Sequence, residues 1–439
     1  MSRTCVRLGS ALDHMGTAGA PVWPRSSLAF WVPMTSEVSF PRRSLRQGAQ
    51  TGGRRLEPLD RVYVALGDRL GESLEREVSS GASLRPRWTL ALTSAAVIAT
   101  MVYAGALGIA AAGATMIAVG WPNAGLTALG AVLLGFGLVT CPRPFGRSRA
   151  LRGLRPESIP QLHAAIEQVA RALEVSPPDI VLFDMRFNAS WGHDGWRQRR
   201  VLRLGVPLLA SLDVSQTIAL LAHELAHERN GDARRGRIIG SSLASLSSVI
   251  GGLAPQRTQA FRGLAVLGVL LANALLWLCR QPLRGLLALQ VHLLFRDSQR
   301  AEYLADDLAA SVAGTDAVIA LHDSTLAATS VQTIIRRVTL TDDRAGSTLI
   351  DDLRAATSAS DPEKRAERRR LARAERRRLD STHPTTTSRI AVLEQRPSRR
   401  PTVVLDAGAE AALDAELHSV LTSYAADLID YDSARLYSL

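Results

Sequence analysis

Asp213–Asp232 reads DVSQTIALLAHELAHERNGD. Asp213 followed three residues later by Gln216 forms a capping-box pattern, which starts a helix there. Asn230-Gly231 supplies the stop. Between them Ile218, Leu221, Ala222 and Leu225 make one apolar stripe at helical spacing. His223 and His227 stand one turn apart, roughly opposite that stripe, so they are expected to face a cleft or solvent. Two imidazoles on successive turns can bind one zinc ion, and Glu224, offset by one residue, can reach a zinc-bound water without being a ligand. The chemistry implied is metal-assisted peptide hydrolysis: zinc lowers the pKa of its water and Glu224 takes the proton.

A chain with nine histidines can carry His-Glu-x-x-His by chance on a solvated helix face. A catalytic zinc needs a third protein ligand and one open position. Ser298–Ala310, SQRAEYLADDLAA, places Glu302 and Asp306 at i, i+4 on one helix face. Glu302 can serve as the third ligand, and Asp306 can accept the free ring N–H of a ligating histidine. Alone, that pair reads as an ordinary charged face. Together with the first motif it favours a metal site holding one Zn²⁺ per chain.

HELAHERNGD followed by AEYLADDLAA resembles the membrane zinc endopeptidases that include the HtpX-like heat-shock proteases and the CAAX prenyl endopeptidases. These are gluzincins, with two His on one helix, a Glu on a later one and an Asp four residues beyond. The resemblance covers about half the chain. Pro156–Pro178 resembles the helix before the catalytic fold, and Phe187–Ser190 (FNAS) the Asn-Ala edge-strand segment. Thr382-His383-Pro384 with Arg389 resembles the late His-Pro…Arg motif over the cleft. It implies that Asn188 and Ala189 pair with an extended substrate backbone, and that His383 or Arg389 stabilises the tetrahedral oxyanion. The family has Ser-Arg three to four residues before the ligand Glu. Here Ser298-Gln299 stands there with Arg300 shifted by one, which puts a supporting charge contact in doubt.

Working outward, Trp88–Thr140 contains no Asp, Glu, Lys or Arg. One crossing needs about 20 apolar residues, so this run predicts a transmembrane hairpin turning at Gly120–Gly125 (GWPNAG). Arginines crowd both ends, among them Arg143, Arg147, Arg149, Arg152 and Arg155, while the turn has none. By the positive-inside rule both ends, and the catalytic helix after them, lie in the cytoplasm. Two more uncharged runs, Ile238–Ala254 and Gly263–Cys279, follow the catalytic helix. His223, His227 and Glu302 must meet at one metal, so either both runs span or neither does. A second hairpin is expected, with a helical pair resting on the membrane face as the alternative.

The remaining segments carry less chemistry. Residues 1–56 show no periodicity and no uninterrupted apolar run after the first arginines, so they read as disordered, without a cleaved signal peptide. Leu56–Val78 predicts a lead-in helix. Ile180–Phe183 and Val201–Leu204 are strand candidates, and His193 reads as a surface turn residue. Leu283–Phe295 is an apolar lead to the ligand helix, in which His292 reads as packed. The chain beyond Gly314 reads as a helical cover. Asp361–Asp380 is a densely charged helix able to dock on anionic headgroups. Residues 399–439 hold one last helix. Asp307, about 100 degrees from Asp306 on its helix, is expected to be nearly silent.

The net charge is +11, carried by 52 basic against 41 acidic residues, with Lys364 the sole lysine. No nucleic-acid motif accompanies that charge and aromatics are 5% of residues, so the charge predicts a membrane surface as partner, not nucleic acid. Three scattered cysteines, Cys5, Cys141 and Cys279, make no disulfide framework.

The expected fold is a mostly α integral membrane protein: a gluzincin-type metalloprotease domain with a small β edge, interrupted by a helical membrane hairpin. Residues 1–87 form an N-terminal cytoplasmic segment and 88–141 a transmembrane hairpin. The metalloprotease domain occupies 142–237 and 281–400, around a second hairpin at 238–280, and 401–439 is a tail. The expected activity is zinc-dependent cleavage of membrane or misfolded polypeptides at the cytoplasmic face of a multi-pass protein in a bacterial cell membrane. The alternative is a membrane scaffold or regulator with a structural or inactive zinc site. A narrower one, processing of prenylated tails, has no lipid-accepting chamber legible in the sequence.

Overall fold

The structure, a computed structural model, describes residues 58–81, 84, 88–142, 153–195, 197–254, 264–341, 348–357, 362–373 and 383–437. The expected disorder of 1–56 lies outside the described residues. So do Arg143–Arg152, the 255–262 connection, Thr382 and the end of the charged helix.

Among the described residues the chain is mostly helical. Helix α1 (Pro58–Ser79) is the lead-in, and α2 (Leu90–Gly120) and α3 (Ala124–Thr140) form the expected hairpin. Thr89 caps α2: its hydroxyl accepts from Leu92 N and donates to Asp297 Oδ2 at 2.7 Å. Asn123 caps α3 after the 121–123 turn. The two helices touch through glycines. A Cβ on Gly113 would stand 2.3 Å from Leu134 N, and one on Gly137 would stand 2.5 Å from Ala110 N. Such backbone-to-backbone contact is how apolar helices hold together where no hydrophobic gain is available. Val119, Leu129, Val132 and Val139 point outward instead.

Helix α4 (Pro160–Ala172) leads into a three-stranded sheet of β1 (Ile180–Asp184), β2 (Ala189–Asp194) and β3 (Arg199–Gly205), in the order β1-β3-β2. β1 runs parallel to β3, with Ile180 opposite Val201, and β2 antiparallel, with Ala189 opposite Leu204. Among the described residues β2 therefore has a neighbour on one side only. Gly205 must lack a side chain, since a Cβ there would lie 2.0 Å from Arg186 O and 2.4 Å from Asn188 O. Its own N–H donates to Asn188 O at 2.8 Å.

After the short α5 (Val206–Leu209) comes α6 (Val214–Asn230), the histidine helix. The capping box forms as expected, with Asp213 Oδ1 accepting from Gln216 N at 2.8 Å, and Gly231 ends the helix at φ 68°. From Thr217 to His227 the helix is buried all round, its histidines included, so of the cleft and the solvent expected for them it is not the solvent that they face. The helix is the centre of the main core, packed against α4, the sheet and later helices.

Helix α7 (Asp232–Gly252) then leads away from the site and α8 (Leu264–Ala313) returns as one helix of 50 residues. The boundary expected between 280 and 281 falls inside that helix. The second uncharged run, the apolar lead and the Glu302 segment are a single element despite Pro282. α2, α7 and α8 share an apolar cluster of Leu92, Ala95, Leu243, Leu246, Ile250 and Leu287. Buried Gln290 donates to Ala95 O beside it.

Helices α9 (Thr315–Thr325), α10 (Ala328–Leu340), α11 (Leu349–Thr357), α12 (Pro362–Arg373) and α13 (Thr386–Gln395) form the expected cover. Two helices close the chain where one was expected, α14 (Ala407–Ser423) and α15 (Ala425–Tyr437), and they are no tail. Glu416 accepts from Gln161 N and Leu162 N at 2.9 and 2.8 Å, a carboxylate seated on the positive end of α4. Leu417, Leu421, Leu428 and Ile429 enter the main core.

Candidate metal centre and its surroundings

The lower part of α8 crosses α6 so that Glu302 reaches the histidine pair. His223 Nε2 stands 3.5 Å from Glu302 Oε2, and His227 Nε2 stands 3.7 Å from Glu302 Oε1. The two rings meet edge to face, 5.0 Å apart at 88°. Among the described residues these three form the one group of buried potential metal ligands, with a donor atom from each within 4.8 Å of the others.

Zinc fits this set. A tetrahedral ion with bonds of about 2.0–2.1 Å separates its donors by roughly 3.4 Å, close to the two distances here. Glu302 Oε2 is also buried with no hydrogen-bond partner, an orphaned acceptor that a cation would satisfy. Two imidazoles and one carboxylate is a ligand set that catalytic zinc uses.

Asp306 lies one turn beyond Glu302, and its Oδ1 is 3.1 Å from His223 Nδ1. Nε2 of that ring faces Glu302, so Asp306 fixes which nitrogen carries the proton. Two more groups grip Asp306. Arg389, on α13, donates from Nε to Oδ2 at 2.7 Å and from its terminal nitrogen to Oδ1 at 2.6 Å. The same guanidinium lies 3.2 Å from the His223 ring nitrogens and 3.4 Å from Glu302 Oε2. His322 on α9 places Nε2 3.1 Å from Asp306 Oδ1. No spacing in the sequence pointed to His322, because its relation to Asp306 arises only where α9 folds back on α8.

The charges follow from this packing. Burial would lift the Asp306 carboxyl, but Arg389 and then His322 hold it well below the usual carboxylate range. Burial would do the same to Glu302, and His383 followed by His223 outweighs it. Burial and the Arg389 charge push the His223 imidazole down, yet Asp306 and Glu302 lift it to about 9 among the side chains alone. His322 moves the other way, lowered by burial and by the Arg389 charge.

The remaining expected site residues separate. Glu224 is buried beside His223 on α6. His383 is the most open member, with Nδ1 2.9 Å from Glu302 Oε1 and its side chain 45% exposed. Asn188 and Ala189 begin the open edge of β2. His193 is not a surface turn residue: it lies in β2, its side chain covered and 3.5 Å from Glu228, which also accepts from Trp191 Nε1. Arg300 turns away from the site and, with Arg296, binds Glu77 of α1. Asp307 points away from the ligand set and pairs with Arg396 and Arg399 at 3.3 and 2.9 Å, tying the segment after α13 to α8.

Residues 156–397, which carry the sheet, α6 and the whole ligand set, match the model of Peptidase family M48. A protein named Protease HtpX homolog, from Acidiphilium cryptum (strain JF-5), is 26% identical over 180 residues, or 39% of this chain and 58% of that protein. The chain thus spans a little over half the length of the curated relative it matches. No solved structure matches.

Proposed function

This chain belongs to peptidase family M48, and from that premise we propose that it is a membrane-bound zinc endopeptidase, cutting membrane or misfolded polypeptides at the cytoplasmic face. The observation that carries the proposal is the convergence of His223, His227 and Glu302 around an orphaned carboxylate oxygen. Zinc held by these three supplies a Lewis acid that polarises the scissile carbonyl and acidifies a water. Glu224 then works as general base and acid, its carboxylate taking the proton of the attacking water and passing it to the leaving amine. Asp306 keeps His223 in its tautomer, with Arg389 and His322 holding Asp306. Arg389 is committed to that carboxylate on two sides. His383, open and beside Glu302, is therefore the better donor to the carbonyl oxygen as it gains charge. Asn188 and Ala189 open the free edge of β2, where an extended substrate can add as a strand.

The bilayer placement rests on outward-facing apolar helices. α2 and the first part of α8 are long and apolar enough to cross, and α3 is a shorter apolar helix packed on α2 by its glycines. The arginine-rich sequence after α3 favours a cytoplasmic site.

The deciding experiment compares wild type with Glu224→Gln for bound zinc and for cleavage of a disordered protein in detergent. The variant is expected to keep zinc and lose about 10²- to 10⁴-fold in rate, the usual contribution of a positioned base. Equal rates would remove Glu224 from the mechanism. Zinc without cleavage in the wild type would favour the scaffold reading.

A further inference from the structure

A cavity of about 420 Å³ opens beside the proposed metal centre. It falls within the range of about 300–1,000 Å³ typical of ligand pockets. On one side it is bounded by Asn188, just before β2, and by His383, whose Nδ1 contacts Glu302. A side chain seated in it therefore belongs to a residue next to the bond being cut. Its wall is apolar, built from Phe187, Val331, Ile335, Leu428 and Tyr431.

In that wall stands one carboxylate, Asp432 of α15, 3% exposed. Gln332 Nε2 donates to its Oδ1 at 2.9 Å, while Oδ2 is buried with no hydrogen-bond partner. A buried acceptor left unmade bears its full desolvation cost, and the residue that carries it lines the cavity. Two arginines, Arg186 and Arg435, also line the cavity, and both are exposed. Arg186 is engaged by Asp184 at 2.5 Å.

We propose that this cavity is the specificity pocket of the peptidase and takes a long cationic side chain, arginine or lysine, from the polypeptide substrate. The inference rests on the endopeptidase reading above. The apolar wall covers the methylene stem, as such stems pack elsewhere, and the N–H tip completes Asp432. Norleucine fills the same wall but leaves Oδ2 orphaned, and a glutamate substrate meets a like charge. Asp432 lies outside residues 156–397, so this selectivity comes from a helix beyond the part that the family shares.

The test uses the full-length, zinc-loaded protein in detergent with four peptides. They differ only in the residue beside the scissile bond: Arg, norleucine, Tyr or Glu. Binding is read on the Glu224→Gln variant by fluorescence anisotropy, and kcat/KM on the wild type. The Arg peptide is expected to lead norleucine by about 10- to 100-fold in both, the worth of a hydrogen bond to a charged group. Asp432→Asn should bring that ratio close to one, and Asp432→Glu should restore most of it. A ratio near one with Asp432 in place, a preference for Tyr, or an Asp432→Asn ratio equal to the parent's would each overturn the proposal. The first two need no Asp432 variant to fold. An Arg preference in binding with no turnover by the wild type would support the pocket and strike only the hydrolytic reading.

Discussion

From Leu267 to Cys279, α8 wears its large apolar side chains on the outside; from Phe295 to Ala313 the same helix wears them on the inside. Leu271 and Leu275 are 65% and 63% exposed, whereas Tyr303 and Ala305 are buried, and so are Glu302 and Asp306. The α2–α3 pair shares the first pattern, with glycines at its seam and Val119, Val132 and Val139 outside. The α6 core shares the second, with leucines inside. A helix in water hides its apolar stripe. A helix among lipid tails gains nothing by hiding it and packs through small residues. On the bilayer placement proposed above, the contrast within one continuous helix would be that of a chain folded for two solvents, with the proposed metal centre in the wet part.

The sharpest test of the wet half is the third ligand. Glu302→Ala should fail to retain stoichiometric zinc after dialysis and should abolish cleavage, because two imidazoles hold the ion weakly. Asp306→Ala should keep the ligands but lose about 10- to 100-fold in zinc affinity, as happens when the partner of a ligating histidine is removed. A Glu302→Ala protein with full zinc would mean that another residue completes the site.

Leu271→Arg tests the other half. At a bilayer centre an arginine costs about 2.5–3.5 kcal/mol of insertion free energy, whereas on a surface facing water the change stays within about 0.5 kcal/mol. The fraction resisting carbonate extraction should fall sharply. No change would place this face in water and end the two-solvent comparison.

Asp307→Asn should have the smallest effect. It removes partly exposed ion pairs to Arg396 and Arg399, which together are worth about 1 kcal/mol. Tm should drop by a few degrees while bound zinc stays unchanged. Loss of zinc in this variant would mean that the segment after α13 supports the site directly.

What could be read beforehand was what depends on local spacing. The capping box, the histidine pair, the Glu302–Asp306 turn and the uncharged hairpin are each contained in a short window. The residues missed belong to relations across the fold. β2 was expected only at its start, through the resemblance of Phe187–Ser190 to an edge strand; Gly192, His193 and Asp194 are poor strand formers, and pairing with β3 and the burial of Trp191 carry the strand on to Asp194. His322 has no spacing relation to Asp306. The break expected near 280 followed from the end of the uncharged run at Cys279, yet the helix continues through Pro282, which removes only one helical hydrogen bond, and the packing of α8 on α2 and α7 carries it on. Asp432 sat in a segment with no legible chemistry until α15 was seen to wall the cavity.

The length of α8 also sets a distance. At 1.5 Å per residue its 50 residues extend about 75 Å. From Arg280, its first charged residue, to Glu302 the rise is about 33 Å. On the bilayer placement proposed above, the catalytic centre hangs that far beneath the lipid on a continuous rod. A substrate still anchored in the same membrane would need about ten extended residues of slack to reach it. Tethered proteins with shorter free tails would be out of range whatever their sequence, so this protease would measure its substrates by the length of their loose ends.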